Sequence, residues 1–234
     1  MAEQWYKRLP TLGPSIFKIF TPQGSGTGFA VVRNKKGAWA IATAYHVISH
    51  ANDWDEPIKL IHYTTKSIFI LKGDANSRII FPYPDKDLAI IFFTPENLTT
   101  AGDPPSLIDE GQVLKPGNEV VWFGFPSVMP DELCLFQGYI SAYISSETFY
   151  LVDGTVINGV SGGPAFYVDE SNGELRACGV VTNYAPNRAT GEVLPGLGVV
   201  RSVETYWQKV KEIKTLDEAQ EKAEKDAASG EMKS

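Results

Sequence analysis

The sequence of 234 residues is poor in cysteine, histidine and methionine, with two, three and three of each. Two cysteines are too few for the disulfide framework of a small secreted domain. Cys134 (“ELCLF”) and Cys178 (“RACGV”) both lie among apolar residues, a setting typical of buried free thiols. The sequence therefore predicts two unpaired thiols and a reducing, cytoplasmic location.

Long apolar runs and clusters of basic residues are lacking as well. No run approaches the length that crosses a bilayer, and “MAEQWYKRLPTL” at the N-terminus has no apolar signal segment. The net charge is −7 and the pI is about 5.1, with no lysine and arginine cluster that could follow a phosphate backbone. These absences predict no membrane segment and no nucleic-acid partner.

Short runs rich in isoleucine, valine, phenylalanine and tyrosine fill most of the chain, each bounded by residues typical of turns. Two series of about six such runs flank a polar, proline-bearing connection, “TPENLTTAGDPPSLIDEGQVLKPGN”. This pattern predicts an all-β fold of two antiparallel six-stranded barrels packed side by side. The predicted order is an N-terminal arm (1–13), a first barrel (14–94), a linker (95–117), a second barrel (118–201), a helix (202–216) and a charged tail (217–234).

The C-terminal segment has a different pattern. Ser202 is the predicted N-cap of a helix in which Tyr206, Val210, Ile213 and Leu216 recur every three or four residues, as on one apolar face. Residues 217–234 contain helix formers but no apolar stripe beyond alanines, which favours a charged helical or disordered extension. A role of this tail in binding a regulatory partner or in forming an oligomer stays open.

The stretch “NGVSGGPAF” (158–166) places three glycines and a proline around Ser161. Glycine is used where the backbone needs unusual dihedral angles or approaches another group closely. Such a loop suits a nucleophile, because the N–H groups of Gly159 and Ser161 can converge on the oxyanion that forms when a carbonyl is attacked. An ordinary glycine-rich turn fits the same letters, so this stretch alone does not decide.

A serine nucleophile needs a base and a group that orients the base. His46 ends the strand-like run “AWAIATAYHV”, where small residues leave room for a ring, whereas His62 falls inside the alternating “IKLIHY”. His46 is therefore the predicted base. His50 follows it by one helical turn, but no third ligand is indicated and we predict no metal. Asp87, at the start of “DLAIIFF”, is the predicted orienting acid in preference to Asp85.

Three motifs in this order, “TAYHV”, “DLAII” and “GVSGGP”, resemble the histidine, aspartate and serine signatures of the chymotrypsin-like serine proteases. “GSGTGFAVV”, “VVWFGFP” with “FQGYIS”, and “GLGVV” are closest to the HtrA/Deg-type branch, although the residues after 214 leave no room for its usual PDZ domain. The resemblance covers roughly residues 14–212. It implies a double β-barrel with His46 as general base and acid, Asp87 as its orienting partner, Ser161 as nucleophile and no cofactor.

The resemblance also implies where substrate binds. The residues matched to the specificity pocket include Thr155, Asn158, Thr182, Asn183, Tyr184 and Gly198. Because Thr155 stands where a trypsin-type enzyme carries an acid, the pocket is expected to take a small or medium apolar side chain. In the family, the position of Thr182 also hydrogen-bonds the aspartate, which here is Asp87.

The predicted function is a serine endopeptidase that acts on protein or peptide substrates through an acyl-enzyme intermediate. Two alternatives stay open. One is a catalytically silent binding or chaperone module on the same fold, and the other is an esterase or related acyl hydrolase that uses the same site.

Overall fold

Two β-sheet lobes follow one another along the chain in the computed structural model, which describes residues 5–34, 36–95, 102–186 and 193–231. A short helix α1 (Leu9–Leu12) precedes the first lobe, helix α2 (Tyr45–Asp53) lies within it, and helix α3 (Glu204–Glu231) follows the second lobe. The predicted fold class is confirmed: the molecule is mostly β, with one long C-terminal helix.

The first lobe is one antiparallel sheet of seven strands, in the order β5-β4-β1-β2-β3-β7-β6. Its strands are β1 (Ile16–Thr21), β2 (Gly24–Arg33), β3 (Trp39–Ala44), β4 (Ile58–His62), β5 (Ile68–Leu71), β6 (Ile79–Tyr83) and β7 (Leu88–Phe93).

The sheet of the first lobe departs from the predicted closed six-stranded barrel. Its two end strands, β5 and β6, do not pair with each other in the described part of the chain. Strand β5 has only four residues, and Ile68 and Ile70 on it are exposed. A cavity of about 580 Å³, lined by β5 and by Phe93 and Thr94 at the end of β7, lies along this edge. The first lobe is therefore a half-barrel.

The second lobe closes as predicted. Its strands are β8 (Ser106–Leu107), β9 (Glu119–Gly124), β10 (Cys134–Ile144), β11 (Phe149–Asp153), β12 (Pro164–Val168), β13 (Leu175–Pro186) and β14 (Val193–Ser202). They are ordered β12-β9-β10-β11-β14-β13-β8, and an additional pairing between β12 and β13 completes a six-stranded barrel. Strand β8 adds to β13 in parallel from the segment between the lobes.

The central strands of the first lobe are buried on both faces. In β2, Ala30 packs into the interior of the first lobe, whereas its neighbour Phe29 belongs to a larger cluster shared with the second lobe. The ring of Phe29 lies 6.4 Å from that of Phe166, which lies 6.0 Å from that of Phe123. This burial explains the continuous apolar runs in the sequence, since a strand covered on both sides needs no polar alternation.

Helix α3 packs on the body through its first three turns. The hydroxyl of Ser202 accepts a hydrogen bond from the N–H of Glu204 at 3.2 Å, as a capping residue does. Tyr206 and Val210 are buried, but Leu216, predicted on the same face, is 64% exposed. The helix continues beyond the part that contacts the body. In the described residues, no helix has the length and apolar content that a membrane span requires.

Candidate active site

His46 lies in the first turn of helix α2, because strand β3 ends at Ala44 and the helix begins at Tyr45. The sequence predicted that His46 ends the strand, but β3 ends two residues earlier, at Ala44. The N–H of Tyr45 donates to the carbonyl of Asp87 at 3.1 Å, which joins the helix start to the beginning of β7. The side chain of His46 is half exposed.

Asp87 holds His46 through both carboxylate oxygens. Its Oδ1 accepts the backbone N–H of His46 at 2.9 Å, and its Oδ2 accepts the ring Nδ1–H at 2.8 Å. Because a carboxylate is only an acceptor, the ring carries a hydrogen on Nδ1, so the neutral form of the ring has its lone pair on Nε2. Asp85, the less favoured candidate, is exposed.

The other two histidines are engaged elsewhere. Nδ1 of His50 contacts Oε2 of Glu56 at 2.9 Å. His62 is buried in β4, as its alternating sequence predicted, and its Nε2 contacts the carbonyl of Pro14 at 2.8 Å. Burial lowers the pKa of His62 below 6.5. Across the described ranges of the chain, no three histidine, cysteine, aspartate or glutamate side chains group as metal ligands would.

Two consecutive β-turns, of residues 157–160 and 160–163, form the loop around Ser161, which is the second residue of the second turn. Each turn is closed by a backbone hydrogen bond between its first and last residues, at 3.2 and 2.9 Å. The third residues of the turns are Gly159 and Gly162, with φ of 91° and 84°. Since L-residues with side chains rarely adopt such angles, the glycines around the serine are a requirement of the backbone.

Two backbone amides beside Ser161 are free to bind an oxyanion. The N–H of Ser127 donates to the carbonyl of Asn158 at 2.8 Å. The carbonyl of Asn158 and the N–H of Gly159 belong to one trans peptide unit and point in opposite directions, so the N–H of Gly159 points away from Ser127. In the described part of the chain, the N–H groups of Gly159 and Ser161 donate to no protein acceptor. Nothing in the sequence signalled Ser127, because its contribution is a backbone group placed by the fold.

Ser161, His46 and Asp87 line one cleft of about 310 Å³. The hydroxyl of Ser161 donates to the carbonyl of Thr182 at 3.3 Å. Within the described residues, no hydrogen bond joins the hydroxyl to His46. The described residues show no hydrogen bond between the hydroxyl of Thr182 and Asp87; the contact that Thr182 makes in the cleft is through its carbonyl, to Ser161.

Four of the six predicted substrate-binding residues line this cleft: Asn158, Thr182, Asn183 and Tyr184. Thr155 and Gly198 do not contribute to its lining. The carbonyl of Thr155 accepts a hydrogen bond from the indole of Trp122 at 3.1 Å, which turns this segment toward the barrel. The side chain of Val156 covers Gly198 and itself lines the cleft.

Neither cysteine lines the cleft, and both thiols are free, as predicted. Cys178 is fully buried and its thiol lies 3.4 Å from the carbonyl of Ala165. Burial raises the pKa of Cys178 to about 12, so this thiol stays protonated at neutral pH. Neither thiol is therefore a candidate nucleophile in the cleft, whereas Ser161 lines it.

Solved structures of proteases share this fold. The chain is similar to a serine endoprotease from Yersinia pestis, with a TM-score of 0.64 and 21% identity over 91% of this chain and 66% of the other. It is also similar to the inactive form of a serine-to-alanine mutant of Rv3671c from M. tuberculosis H37Rv, with a TM-score of 0.60 and 20% identity over 90% and 94%. Deg5 matches with a TM-score of 0.61 and 23% identity over 88% and 94%.

At such identities the structural likenesses establish the fold, whereas the family is established by the sequence. The family model for the trypsin-like peptidase domain matches residues 26–177, which contain His46, Asp87 and Ser161. No curated protein sequence matches the chain significantly. The resemblance to the chymotrypsin-like serine proteases is thus confirmed at the level of the family, and the chain belongs to the trypsin-like peptidase domain family.

Proposed function

We propose that the chain is a serine endopeptidase that hydrolyses peptide bonds through an acyl-enzyme intermediate. The observation that carries this proposal is the pair of hydrogen bonds by which Asp87 holds His46, in the cleft that also contains Ser161. This arrangement leaves Nε2 as the basic atom of the ring. It supports a triad in which Ser161 is the nucleophile, His46 the general base and acid, and Asp87 the orienting group.

The reaction begins when the hydroxyl of Ser161 leaves the carbonyl of Thr182 and turns toward His46, a change of one side-chain torsion. Nε2 accepts the hydroxyl proton as Oγ attacks the scissile carbonyl. The amides of Gly159 and Ser161 then stabilise the oxyanion. His46 returns the proton to the leaving amine, and a water molecule activated by the same ring releases the acyl group.

For substrate choice, we propose a small or medium apolar side chain before the scissile bond. Asp87 is the carboxylate among the residues that line the cleft, and it already serves His46. An arginine or lysine side chain would therefore lack a counter-charge there. Val156 and Ile157 add apolar lining. Profiling with a peptide library tests this preference, and cleavage mainly after arginine or lysine would contradict it.

A second candidate is a catalytically silent binding module. The hydrogen bond from Ser161 to Thr182 favours it, because the hydroxyl is directed away from its base. In a silent module the cleft would bind an extended peptide and release it uncut. Chemical reactivity of Ser161 separates the two candidates.

A fluorophosphonate probe tests the proposed function directly. We expect the probe to label the wild-type chain at Ser161, and the chain to cleave casein or a peptide library. Both signals should be lost in Ser161→Ala and retained in Ser171→Ala, whose serine lies in an exposed turn. Labelling without peptide cleavage would indicate an esterase, and neither labelling nor cleavage would indicate the silent module.

As part of this proposal we place the chain in a reducing compartment such as the cytoplasm. The two free thiols support this location, since the half-buried thiol of Cys134 would be open to oxidation in an oxidising compartment.

A further inference from the structure

Thr27 in strand β2 connects the first lobe to the loop that carries the proposed nucleophile. It is fully buried, and its hydroxyl donates to the carbonyl of Gly159 at 2.9 Å and accepts the N–H of Phe125 at 3.1 Å. Its own N–H donates to the carbonyl of Ser161 at 2.8 Å, and its carbonyl accepts the hydroxyl of Thr43 at 2.8 Å. All polar groups of Thr27 are thus used, and three of the four bonds reach the second lobe or the segment that follows β9.

The bond to Gly159 acts on the peptide unit between the two free amides. The carbonyl of that unit is held by Thr27, and its N–H, which belongs to Val160, donates to the carbonyl of Ile157 at 3.2 Å. Because a peptide unit is planar, holding both ends fixes its rotation. The N–H of Gly159 lies immediately before this unit and that of Ser161 immediately after it. Its rotation therefore sets the angle between the two donors.

Gly159 itself provides no resistance to rotation. It has φ of 91° and no side chain, so its backbone can turn more freely than that of any other residue type. The surroundings of Thr27 are also close-packed. A Cβ on Gly162 would collide with the carbonyl of Thr27, and one on Gly124 would lie 3.1 Å from its hydroxyl.

We propose that the hydroxyl of Thr27 is a positioning group for the oxyanion hole, which it orients by holding the carbonyl of Gly159. This inference rests on the proposed function, since it concerns the efficiency of the same site. Thr27 does not touch the substrate. Its loss misaligns the amide of Gly159, so it weakens transition-state stabilisation and leaves ground-state binding of the peptide unchanged.

Thr27→Val removes the hydroxyl at nearly constant shape. We expect kcat to fall about 10- to 100-fold, less than the 10² to 10³ that loss of a whole oxyanion donor typically costs. KM should stay within about 2-fold, and the inhibition constant of a peptide aldehyde, which forms a tetrahedral adduct, should rise by the same factor as kcat falls. Thr27→Ser restores the hydroxyl and should keep at least half of wild-type kcat. Active-site titration with the fluorophosphonate probe corrects all rates for the folded fraction.

Thr43→Val is the matched control. Thr43 is equally buried and donates to the carbonyl of Thr27, but it makes no hydrogen bond to residues 157–163 in the described structure. Its substitution should lower the melting temperature to a similar extent and leave kcat within about 2-fold. Equal losses of kcat in Thr43→Val and Thr27→Val, or a Thr27→Val variant with wild-type kcat, would overturn the proposal.

A crystal structure of Thr27→Val separates this proposal from the proposed function. A rotated peptide between residues 159 and 160 supports the role of Thr27, and a wild-type orientation refutes it, whether or not the chain hydrolyses peptides. Failure of the proposed function has a different signature, namely a wild-type chain that neither reacts with the probe nor cleaves peptides.

Discussion

Asp87 reaches its two hydrogen bonds through a backbone conformation that few side chains tolerate. It follows a single 3₁₀ turn (Pro84–Lys86) and has φ of 52° and ψ of 42°, in the left-handed region where aspartate is enriched several-fold. From there its carboxylate reaches both the backbone and the ring of His46. The local sequence “PDKDL” thus positions the carboxylate of Asp87 as well as starting strand β7.

Asp87→Asn should lower kcat by about 10³- to 10⁴-fold, because an amide can donate to Nδ1 and thereby favour the tautomer whose Nε2 carries a hydrogen. Hydrolysis of a peptide substrate at pH 8 measures the effect. Asp85→Asn is the matched control: Asp85 is exposed in the same turn, and its substitution should leave kcat within about 2-fold. Comparable losses in both variants would remove Asp87 from the proposed triad.

We expect the buried ring of His62 to make the folded chain less stable in mild acid. Its ring is buried and neutral, and burial lowers its pKa below 6.5. As the pH falls below about 6.5, the unfolded chain takes up the proton before the folded chain does. The contribution of neutral His62 to the free energy of unfolding is therefore complete above about pH 6.5. It decreases as the pH falls from there toward the folded-state pKa, by at most about 1.4 kcal/mol per pH unit.

The variant His62→Gln isolates this contribution, because glutamine keeps a donor for the carbonyl of Pro14 but does not titrate. Urea unfolding at pH 8 and pH 5 should show a smaller decrease for the variant than for the wild type, whatever its stability at pH 8. Parallel decreases would show that other groups dominate the acid sensitivity.

The residues that could be read from the sequence are those whose side chains perform chemistry. A nucleophile, a base and an acid are few in kind, and with three histidines in the chain the choice was narrow. Ser127 and Thr27 could not be read in this way. They act on backbone carbonyls of residues 158 and 159, and which groups reach those carbonyls depends on how β2 and β9 pack against the loop.

At the level of elements, Arg78 fixes the C-terminal end of helix α2, the helix that carries His46. The guanidinium is buried and donates to the carbonyls of Ala51, Glu56 and Leu71 at 2.8, 2.7 and 3.1 Å. Burial lowers the pKa of Arg78. One side chain thus joins the helix end, the segment before β4 and the end of β5.

Arg78→Met should reduce the free energy of unfolding by about 3 kcal/mol, because three carbonyls lose a charged donor in a site that excludes water. Denaturant unfolding monitored by tryptophan fluorescence measures this change. Lys72→Met, at an exposed neighbouring position, should change stability by less than about 0.5 kcal/mol. A small effect of Arg78→Met would show that water or a neighbouring group replaces the guanidinium.

The strands of this chain were easier to predict from the sequence than helix α2. The run “LAIIFF” forms β7 over its whole length, because β-branched and aromatic residues between turn residues have few other stable arrangements. Helix α2 was not predicted, since “YHVISHAND” directly continues the apolar run of β3 without a capping residue. Its N-cap is Ala44, which makes no side-chain hydrogen bond to the helix. The start of α2 is set instead by the bond from Tyr45 to Asp87.

On the scale of the whole molecule, hydrogen bonds join parts of the chain that the sequence suggested as separate, in addition to the packing of Phe29 against Phe166. The indole of Trp5 donates to Glu119 at 2.7 Å, Thr27 holds the loop of Ser161, and the hydroxyl of Tyr206 lies 3.3 Å from the carbonyl of Thr43. The open side of the first sheet could not be foreseen. The strand-like runs of the first series are compatible with closure, and the short length and exposed side chains of β5 distinguish it from a closing strand.

Helix α3 divides into a structural part and an extension, and truncation should separate them. Removal of residues 221–234 should shift the melting temperature by less than about 2 °C and leave peptide hydrolysis unchanged, since residues 218–220 already have exposed side chains. Removal of residues 204–234 deletes Tyr206, Trp207 and Val210, and loss of a buried aromatic side chain alone costs about 3–5 kcal/mol. Because domains are stable by only about 5–15 kcal/mol, this shorter chain should not fold.

Differential scanning calorimetry and sedimentation velocity on the two truncated chains distinguish the possible roles of the extension. If the chain lacking residues 221–234 unfolds as the full chain does but sediments as a smaller assembly, the extension mediates oligomer formation. If its sedimentation is unchanged, the extension is free for a partner. A large fall in melting temperature would show that the extension folds back onto the lobes, and would contradict the division of α3 at this point.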